Sequence, residues 1–491
     1  MFLGDSLKIT SYSYGAAEEV TGSCHILDID DNLIQIDMGL FQGKRQESDL
    51  KNREFNIDVN KLKAVVVTHG HADHCARLPL LIKNGYKGTI YSTSATRDLA
   101  NLVMMDSAKI QYNDYQTFLA AARRKGDKEG KTVLLPLYNE DDCVKTSAQI
   151  ATVPYYKKTY ITKNVDMKLY DAGHILGSSM VELTIKNEPT FFEKLVGKKS
   201  DKEVRVLYTG DLGRPEKPII RKPDSNVEAP DYIFMESTYG NRQHESREVA
   251  LEHLAKVIND TAARGGKIII PSFAIERTQE MIYYLNTLLR DKKIPKLPVY
   301  VDSPMATNAT GIFRVHPECY DQGIYDDFLD RHKSPFQFDK LTFVTSNSDS
   351  MRLDKKKDPM IIIAADGMCE AGRVVHHLAA NIEDPKNTIL IVGFMAENTL
   401  GRKILEGEKE VKILNSIFSV KAKVEKINAF SAHADYIESI DWLDSIDTSR
   451  LKKIFLVHGE KEAQKFFKEA LIQHGYKNVE IVKVNEKYIL S

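Results

Sequence analysis

Short runs of β-branched and apolar residues recur along the chain, and each run ends in a polar loop. Continuous apolar runs are typical of strands buried on both faces, so we expect helices on each side of the sheets. Helical patterns occur between the runs, at residues 246–264 and 277–290. The pattern predicts an α/β protein. The predicted strands are residues 64–67, 204–208, 267–270, 360–364, 388–392 and 454–457.

Composition narrows the class of protein. The 491 residues predict two to four domains at ~150 residues each. With 42% hydrophobic and 28% charged residues, wholesale disorder is excluded. No apolar run reaches the ~18 residues of a membrane span, and residues 1–20 lack a signal-peptide pattern. The five cysteines include no CxxC pair, which predicts free thiols and a cytoplasmic protein. A net charge of −1 excludes a strongly basic nucleic-acid coat, though not a local basic cleft.

The strongest chemical signal is the segment HGHADH, which follows the first predicted strand. Residues two apart on an extended loop point the same way, so His69 and His71 can bind one cation. Asp73 and His74 would then turn toward a second cation. Imidazole and carboxylate ligands suit Zn²⁺ or Mn²⁺, and we predict zinc from the ligand types.

Three further segments offer what a dinuclear site would still lack. His174 could supply a third imidazole for the first metal. Asp211, at the end of a predicted strand, carries a carboxylate that can bridge two metals, and His458 ends another strand with an imidazole. Each signal is weak alone, and together with HGHADH they support one another.

This order of motifs resembles the metallo-β-lactamase fold. Asp211 and His458 are 247 residues apart, which indicates a whole domain inserted between them. The interval contains MESTYG, PSFA, DSPMA and FSAHAD, and this set resembles the β-CASP family of nucleases. The resemblance implies an αββα sandwich with an inserted α/β β-CASP domain and an active site in the cleft between them. The expected boundaries are 1–225 and 392–491 for the metallo-β-lactamase domain and 226–391 for the β-CASP domain.

The resemblance also implies a role for each candidate residue. Two zinc ions per chain would be bound, with His69, His71 and His174 around the first. Asp73, His74 and His458 would hold the second, Asp211 would bridge the two, and Asp37 would orient a ligand from behind. Asp73 is expected to serve catalysis as well as metal binding.

Glu236 and His433 match the acid and the histidine that the family uses beside its metals, and His458 matches its third motif. Because the third motif has a histidine here, the resemblance implies that the substrate is RNA rather than DNA. A carboxylate beside an imidazole suits a general acid, so His433 paired with Glu236 would protonate the leaving oxygen or hold the scissile phosphate. Single-stranded RNA is the expected partner, and the residues predicted to contact it are Arg242, Ser272, Arg277, Arg373 and His376.

The leading hypothesis is thus a zinc-dependent ribonuclease, with its endonuclease or 5′-exonuclease mode open. One alternative is a small-molecule metallo-hydrolase of the thioesterase or lactonase type. The other is a catalytically inactive RNA-binding scaffold. The sequence indicates no membrane partner and no particular oligomer, and it assigns no role to residues 112–160 and 186–202.

Overall fold

The computed structural model describes residues 7–43, 45–124, 133–186, 203–330, 334–393, 395 and 398–490. Most of the segment 186–202 therefore lies outside the described residues. The chain divides into two compact units. The first comprises Met1–Pro215, Lys222–Arg242 and His433–Ser491, and the second comprises Glu216–Arg221 and Gln243–Ala432.

These divisions differ from the boundaries expected at residues 225 and 391. The second unit continues to Ala432 because a strand at residues 423–426 pairs in parallel with the strand at 388–391. Backbone pairing of that added edge strand with its neighbour keeps residues 392–432 with the second unit.

The first unit contains two seven-stranded sheets. In the first sheet the strand order is β22-β1-β2-β3-β4-β5-β6. Strands β1 to β3 run antiparallel, and β3 to β6 run parallel, so β3 and β4 end at the same edge. The strands are β1 (Ile9–Gly15), β2 (Cys24–Ile29), β3 (Asn32–Ile36), β4 (Leu62–Val66), β5 (Thr89–Ser92), β6 (Ile150–Thr152) and β22 (Tyr488–Ile489).

The second sheet has the order β21-β20-β11-β10-β9-β8-β7. Strands β10, β11, β20 and β21 are parallel, which brings the carboxyl ends of β10, β11 and β20 together. The strands are β7 (Thr159–Tyr160), β8 (Val165–Asp171), β9 (Ser179–Lys186), β10 (Glu203–Tyr208), β11 (Tyr232–Glu236), β20 (Lys453–Val457) and β21 (Val479–Ile481).

The two sheets pack face to face. One buried cluster joins Leu27 and Ile34 of the first sheet to Val181 and Phe234 of the second. The opposite face of the second sheet is covered by helices through residues such as Leu443. The helices of this unit are α1 (Arg45–Arg53), α2 (Ala72–Cys75), α3 (Leu78–Lys83), α4 (Ser94–Arg124), α5 (Glu140–Ala148), α13 (Tyr436–Ser445) and α14 (Lys461–His474).

The predicted αββα sandwich is confirmed, and one detail of the pattern analysis needs correction. The apolar runs were expected to have helices on both sides. In the first unit one face of each sheet packs on the other sheet instead, since a second apolar sheet buries a continuous strand as well as a helix does.

The second unit is a separate α/β fold with the parallel strand order β14-β13-β15-β12-β16-β19. Its helices at residues 247–263 and 277–290 confirm both predicted helices. The strands are β12 (Ile268–Pro271), β13 (Val299–Asp302), β14 (Leu341–Phe343), β15 (Ile361–Ala364), β16 (Thr388–Ile391) and β19 (Lys423–Lys426), with a hairpin of β17 (Glu410–Ile413) and β18 (Ser416–Ser419). The helices are α6 (Arg247–Ala263), α7 (Arg277–Arg290), α8 (Pro304–Val315), α9 (Gln322–Asp330), α10 (Asn347–Lys355), α11 (Arg373–Asn381) and α12 (Leu400–Leu405), with a 3₁₀ turn at Pro317–Cys319.

A buried charged network ties β13, α10 and α11 together. The His377 ring is fully buried and lies 2.7 Å from Asp302 Oδ2 and 2.7 Å from Asp354 Oδ1. Burial opposes the charged imidazole, but the two carboxylates outweigh it and raise the pKa of His377 above its ordinary value. The His377 ring is therefore a structural cross-link inside the second unit.

Replacing His377 with asparagine is expected to lower the free energy of unfolding by about 3 kcal/mol, because Asp302 and Asp354 both lose a buried ion-pair partner. Since the folded pKa of His377 is raised, the stabilisation is fully present below the unfolded pKa of about 6.5 and declines as pH rises through the folded value. Thermal unfolding of both proteins across that range measures this. The matched control is His376→Asn on the exposed face of α11, which should change little at any pH. A pH-independent gap between the wild type and His377→Asn would contradict the prediction.

Among the helices the structure describes, none is both long and apolar enough to cross a bilayer.

Candidate metal centre

The HGHADH segment begins three residues after the end of β4 and ends inside the short helix α2. His69 and His71 lie on the extended stretch, and His71 is the residue that precedes the helix. Asp73 and His74 then lie in the single turn of α2. The loop after β3 holds this turn, since Met38 N donates to His74 O at 2.8 Å. Gly39 is required there, because a Cβ at this position would lie 1.5 Å from Asp73 O.

Two groups of potential ligands form around the strand ends. In the first, His69 Nε2 lies 3.1 Å from His71 Nδ1, and His174 Nε2 lies 3.2 Å from the same atom. In the second, His458 Nε2 lies 3.2 Å from His74 Nε2 and 3.5 Å from Asp73 Oδ2. The ligand atoms within each group are all within 4.8 Å of one another.

Asp211 lies between the two groups. Its Oδ2 is 3.4 Å from both His69 Nε2 and His174 Nε2, while its Oδ1 is 3.3 Å from His74 Nε2 and 3.4 Å from His458 Nδ1. Each carboxylate oxygen therefore faces a different group. The side chain is 1% exposed, so this arrangement is set by the interior of the first unit.

The donor set fits a divalent metal such as zinc. Nitrogen and carboxylate oxygen atoms converge at each group, which is the chemistry that zinc prefers. Asp211 Oδ1 is buried, and within the described residues no donor forms a hydrogen bond to it. A buried carboxylate oxygen left without a hydrogen bond is costly, and a cation in that position would satisfy it.

Burial sets the protonation of the first group. It lowers the pKa of His69 to about 3 and of His71 to about 4, and it holds that of His174 well below its ordinary value. These rings are neutral near pH 7 and offer lone pairs. For Asp211 burial favours the neutral acid, but the imidazoles of His458, His74 and His69 outweigh it and lower the pKa.

Asp37 orients the ring of His74, a member of the second group, by contacting its Nδ1 atom. It directly follows β3 with a φ of 61°, and its Oδ2 lies 2.7 Å from His74 Nδ1. Its carboxylate also accepts hydrogen bonds from Thr68 N at 2.8 Å and Thr68 Oγ1 at 2.9 Å. With Nδ1 against a carboxylate, Nε2 of His74 is the nitrogen that faces the ligand group.

Thr238 orients the ring of His458 in the same way, a role that the sequence analysis did not predict. Its hydroxyl donates to His458 O at 3.1 Å and lies 3.0 Å from His458 Nδ1. The Thr238 hydroxyl has one hydrogen, which it donates to His458 O. Its oxygen therefore accepts the hydrogen on Nδ1 of His458. The lone pair of His458 is then on Nε2, which faces His74. The available signal was position: Thr238 comes two residues after the end of β11.

Replacing Thr238 with valine is expected to weaken zinc binding by roughly 10–100-fold, because the tautomer and orientation of His458 are no longer fixed. Competition with a chelating indicator measures the affinity. Thr238→Ser keeps the hydroxyl and should bind zinc as the wild type does. Equal zinc affinity for the valine and serine variants would contradict the role of the hydroxyl.

Glu236 and His433 form a pair at the edge of the cluster. His433 Nδ1 lies 2.9 Å from Glu236 Oε1, and this oxygen also accepts from Leu212 N at 2.8 Å. Thr238 N donates to Glu236 Oε2 at 3.1 Å. The His433 side chain is 19% exposed. Burial favours the neutral ring, but Glu236 and Asp211 outweigh it and raise the pKa of His433.

The backbone places His433 beside the strand ends. Ala434 N donates to Leu212 O at 2.8 Å, and Gly213 pairs with His433 in a β-bridge. Gly213 allows this close packing, because a Cβ there would lie 1.7 Å from Gly173 O, next to His174.

The residues predicted to contact RNA have different surroundings. Arg242 and His376 are exposed. Arg277 is 6% exposed, and its Nε donates to Glu280 Oε2 at 3.0 Å. Ser272 is 1% exposed and accepts from Thr278 Oγ1. Arg373 binds Asp302 at 2.6 Å and Thr345 O at 2.6 Å.

Ser272 and Arg277 are both buried and hydrogen-bonded within the second unit, and their contact with RNA stays a prediction. Arg373 uses its guanidinium mainly for internal contacts. Arg242 and His376 are the two of the five whose side chains are exposed, and contact of all five with RNA stays a prediction.

An αββα sandwich with a histidine and aspartate cluster at its strand ends defines a metallo-hydrolase. Family profiles agree with this class: residues 17–142 match the metallo-beta-lactamase superfamily, 278–404 the Beta-Casp domain and 418–482 the Zn-dependent metallo-hydrolase RNA specificity domain. The chain belongs to the β-CASP family of ribonucleases with a metallo-β-lactamase fold. This confirms the predicted fold and the predicted hydrolytic nuclease class.

Named relatives span most of the chain. It is 30% identical over 450 residues to Ribonuclease TTHA0252 of Thermus thermophilus, which covers 91% of this chain and 93% of the relative. Identity to Transcription termination factor FttA of Methanothermobacter thermautotrophicus is 30%, covering 91% of this chain and 66% of that protein. The RNase J-like protein of Methanocaldococcus jannaschii is 28% identical, with 91% and 92% covered.

A solved structure of a protein of unknown function from Enterococcus faecalis V583 has a TM-score of 0.52 to this chain at 11% identity, covering 98% of this chain and all of that one. It shares the fold.

Proposed function

We propose that this protein hydrolyses phosphodiester bonds of single-stranded RNA with two zinc ions. The observation that carries the proposal is the split of the Asp211 carboxylate, whose two oxygens face two separate groups of ligands. That is the arrangement needed to bridge two metals a few ångströms apart. The names of the relatives, a ribonuclease and an RNase J-like protein, support RNA as the substrate.

Each residue of the cluster has a definite task in this proposal. His69, His71 and His174 would hold one zinc, and Asp73, His74 and His458 the other, with Asp211 shared. Bound zinc would supply Lewis acidity to activate water and polarise a phosphoryl oxygen. Asp37 and Thr238 keep His74 and His458 in the ligand-competent tautomer.

His433 would provide the proton that the leaving oxygen needs. The carboxylate of Glu236 holds His433 Nδ1 at 2.9 Å and favours the protonated ring, which suits a general acid at neutral pH. The backbone N–H groups of Leu212 and Thr238 donate to the Glu236 carboxylate and keep it oriented toward the imidazole.

The test is cleavage of one single-stranded RNA labelled separately at its 5′ and 3′ ends, beside DNA of the same sequence. Internal RNA fragments, with DNA intact, would support an endoribonuclease. Mononucleotides released from the 5′ end would support the exonuclease mode. A zinc-loaded protein that cleaves neither strand would contradict the proposal. Hydrolysis of a thioester or lactone would then favour the small-molecule alternative, and RNA binding without any hydrolysis the inactive scaffold.

A further inference from the structure

The first unit has a cavity whose lining includes none of the residues of the metal cluster. Its volume is about 120 Å³, where one water needs roughly 10–15 Å³ by the same measure. Its walls include the aromatic rings of Tyr14, Phe41 and Phe55 together with Ile57. Arg77, three residues after His74, also lines it.

Arg77 carries a charge that its surroundings do not neutralise directly. The residue is 4% exposed, and one Nη donates to the backbone carbonyl of Glu54. Its Nε is buried and, among the residues that the structure describes, has no hydrogen-bond acceptor. Burial lowers the pKa of Arg77, and the Glu54 carboxylate offsets this only through a longer-range interaction. A buried guanidinium N–H without an acceptor is costly, and a carboxylate placed against the guanidinium would offset that cost.

The surrounding residues hold this group in place. The Arg77 guanidinium lies 5.4 Å from the centre of the Phe41 ring, and Lys51 Nζ lies 5.3 Å from it. Asn52 binds the Phe41 backbone at both N and O, which fixes the ring against α1. The cavity wall is therefore built by packing and by specific hydrogen bonds.

Charge limits what the cavity can accept. Lys51 is already paired with Glu19 at 2.9 Å, so Arg77 provides the remaining positive charge. Glu19 and Glu54 also line the cavity, and their repulsion of an anion grows with its charge, which favours a group with a single negative charge. The planar guanidinium edge matches a carboxylate, and the aromatic walls match an apolar body.

We propose that this cavity binds a small monocarboxylate with an apolar or aromatic body, whose carboxylate is bound by Arg77 and whose body packs on Phe41 and Phe55.

Calorimetric titration of the zinc-loaded full chain with benzoate tests this proposal. The wild type should bind, and Arg77→Met should bind at least about tenfold more weakly, because a charged hydrogen bond is lost. Val484→Phe places bulk in the cavity lining and keeps Arg77, so it should weaken binding similarly even where Arg77→Met fails to fold. The matched control is Arg53→Met, an exposed arginine of α1 outside the cavity lining, which should bind as the wild type does.

Three results would overturn the proposal. The first is no benzoate binding to the wild type at millimolar concentration. The second is binding that survives in Arg77→Met and disappears on zinc chelation, which would assign it to the metal centre. The third is Arg77-dependent binding of inorganic phosphate that is tighter than that of benzoate, which would give the cavity a different ligand class.

Discussion

Replacing Asp211 with asparagine is expected to lower the rate of RNA hydrolysis by about 10³-fold and to lower the zinc content of the protein. Asparagine keeps the shape of the side chain but removes the negative charge that both ligand groups share. Losing that bridge forfeits several kcal/mol of transition-state stabilisation, and about 4 kcal/mol corresponds to a factor of 10³ in rate. Metal content by mass spectrometry and cleavage of end-labelled RNA are the two measurements.

The matched control is Asp166→Asn. Asp166 is also a buried carboxylate of the first unit, and it pairs with Lys158 and Lys186 rather than with the cluster. This variant should retain two zinc ions and most of the activity. An Asp211→Asn protein with two zinc ions and a wild-type cleavage rate would refute the bridging role.

Replacing His433 with alanine is expected to slow RNA cleavage by roughly 10²–10⁴-fold while zinc content stays unchanged. The reason is that His433 lies beside the ligand groups, paired with Glu236, and is not required for metal binding in the proposal. The decisive readout is a second substrate, bis(p-nitrophenyl) phosphate, whose leaving group needs no proton. Its hydrolysis should fall far less than that of RNA.

An equal loss on both substrates would contradict the role of His433 as proton donor and favour a positioning role. Glu236→Gln should show the same selectivity for RNA with a smaller loss, because the imidazole keeps a hydrogen-bond partner. The control is His474→Ala, another imidazole paired with a carboxylate, Asp444, on the surface of the first unit. It should cleave both substrates normally.

The sequence determined the local features of this protein. Apolar runs with polar ends predicted six of the strands to within two residues, because burial leaves a continuous apolar signature. The spacing within HGHADH predicted a ligand-rich turn, since those residues are close in the chain and their side-chain directions follow from the local backbone. The motif set also predicted the family, which the relatives confirm.

The tertiary structure decided which distant residues meet. His174, Asp211 and His458 come from separate strand ends, and parallel pairing of β10, β11 and β20 is what brings two of these ends together. Thr238 carried no signal beyond its position after β11, and Arg77 carried none, because a hydroxyl or guanidinium gains its role from neighbours hundreds or tens of residues away. Burial of Ser272 and Arg277 was likewise decided by packing within the second unit. A residue's type states which contacts it can make, and packing of distant segments determines which of those contacts form.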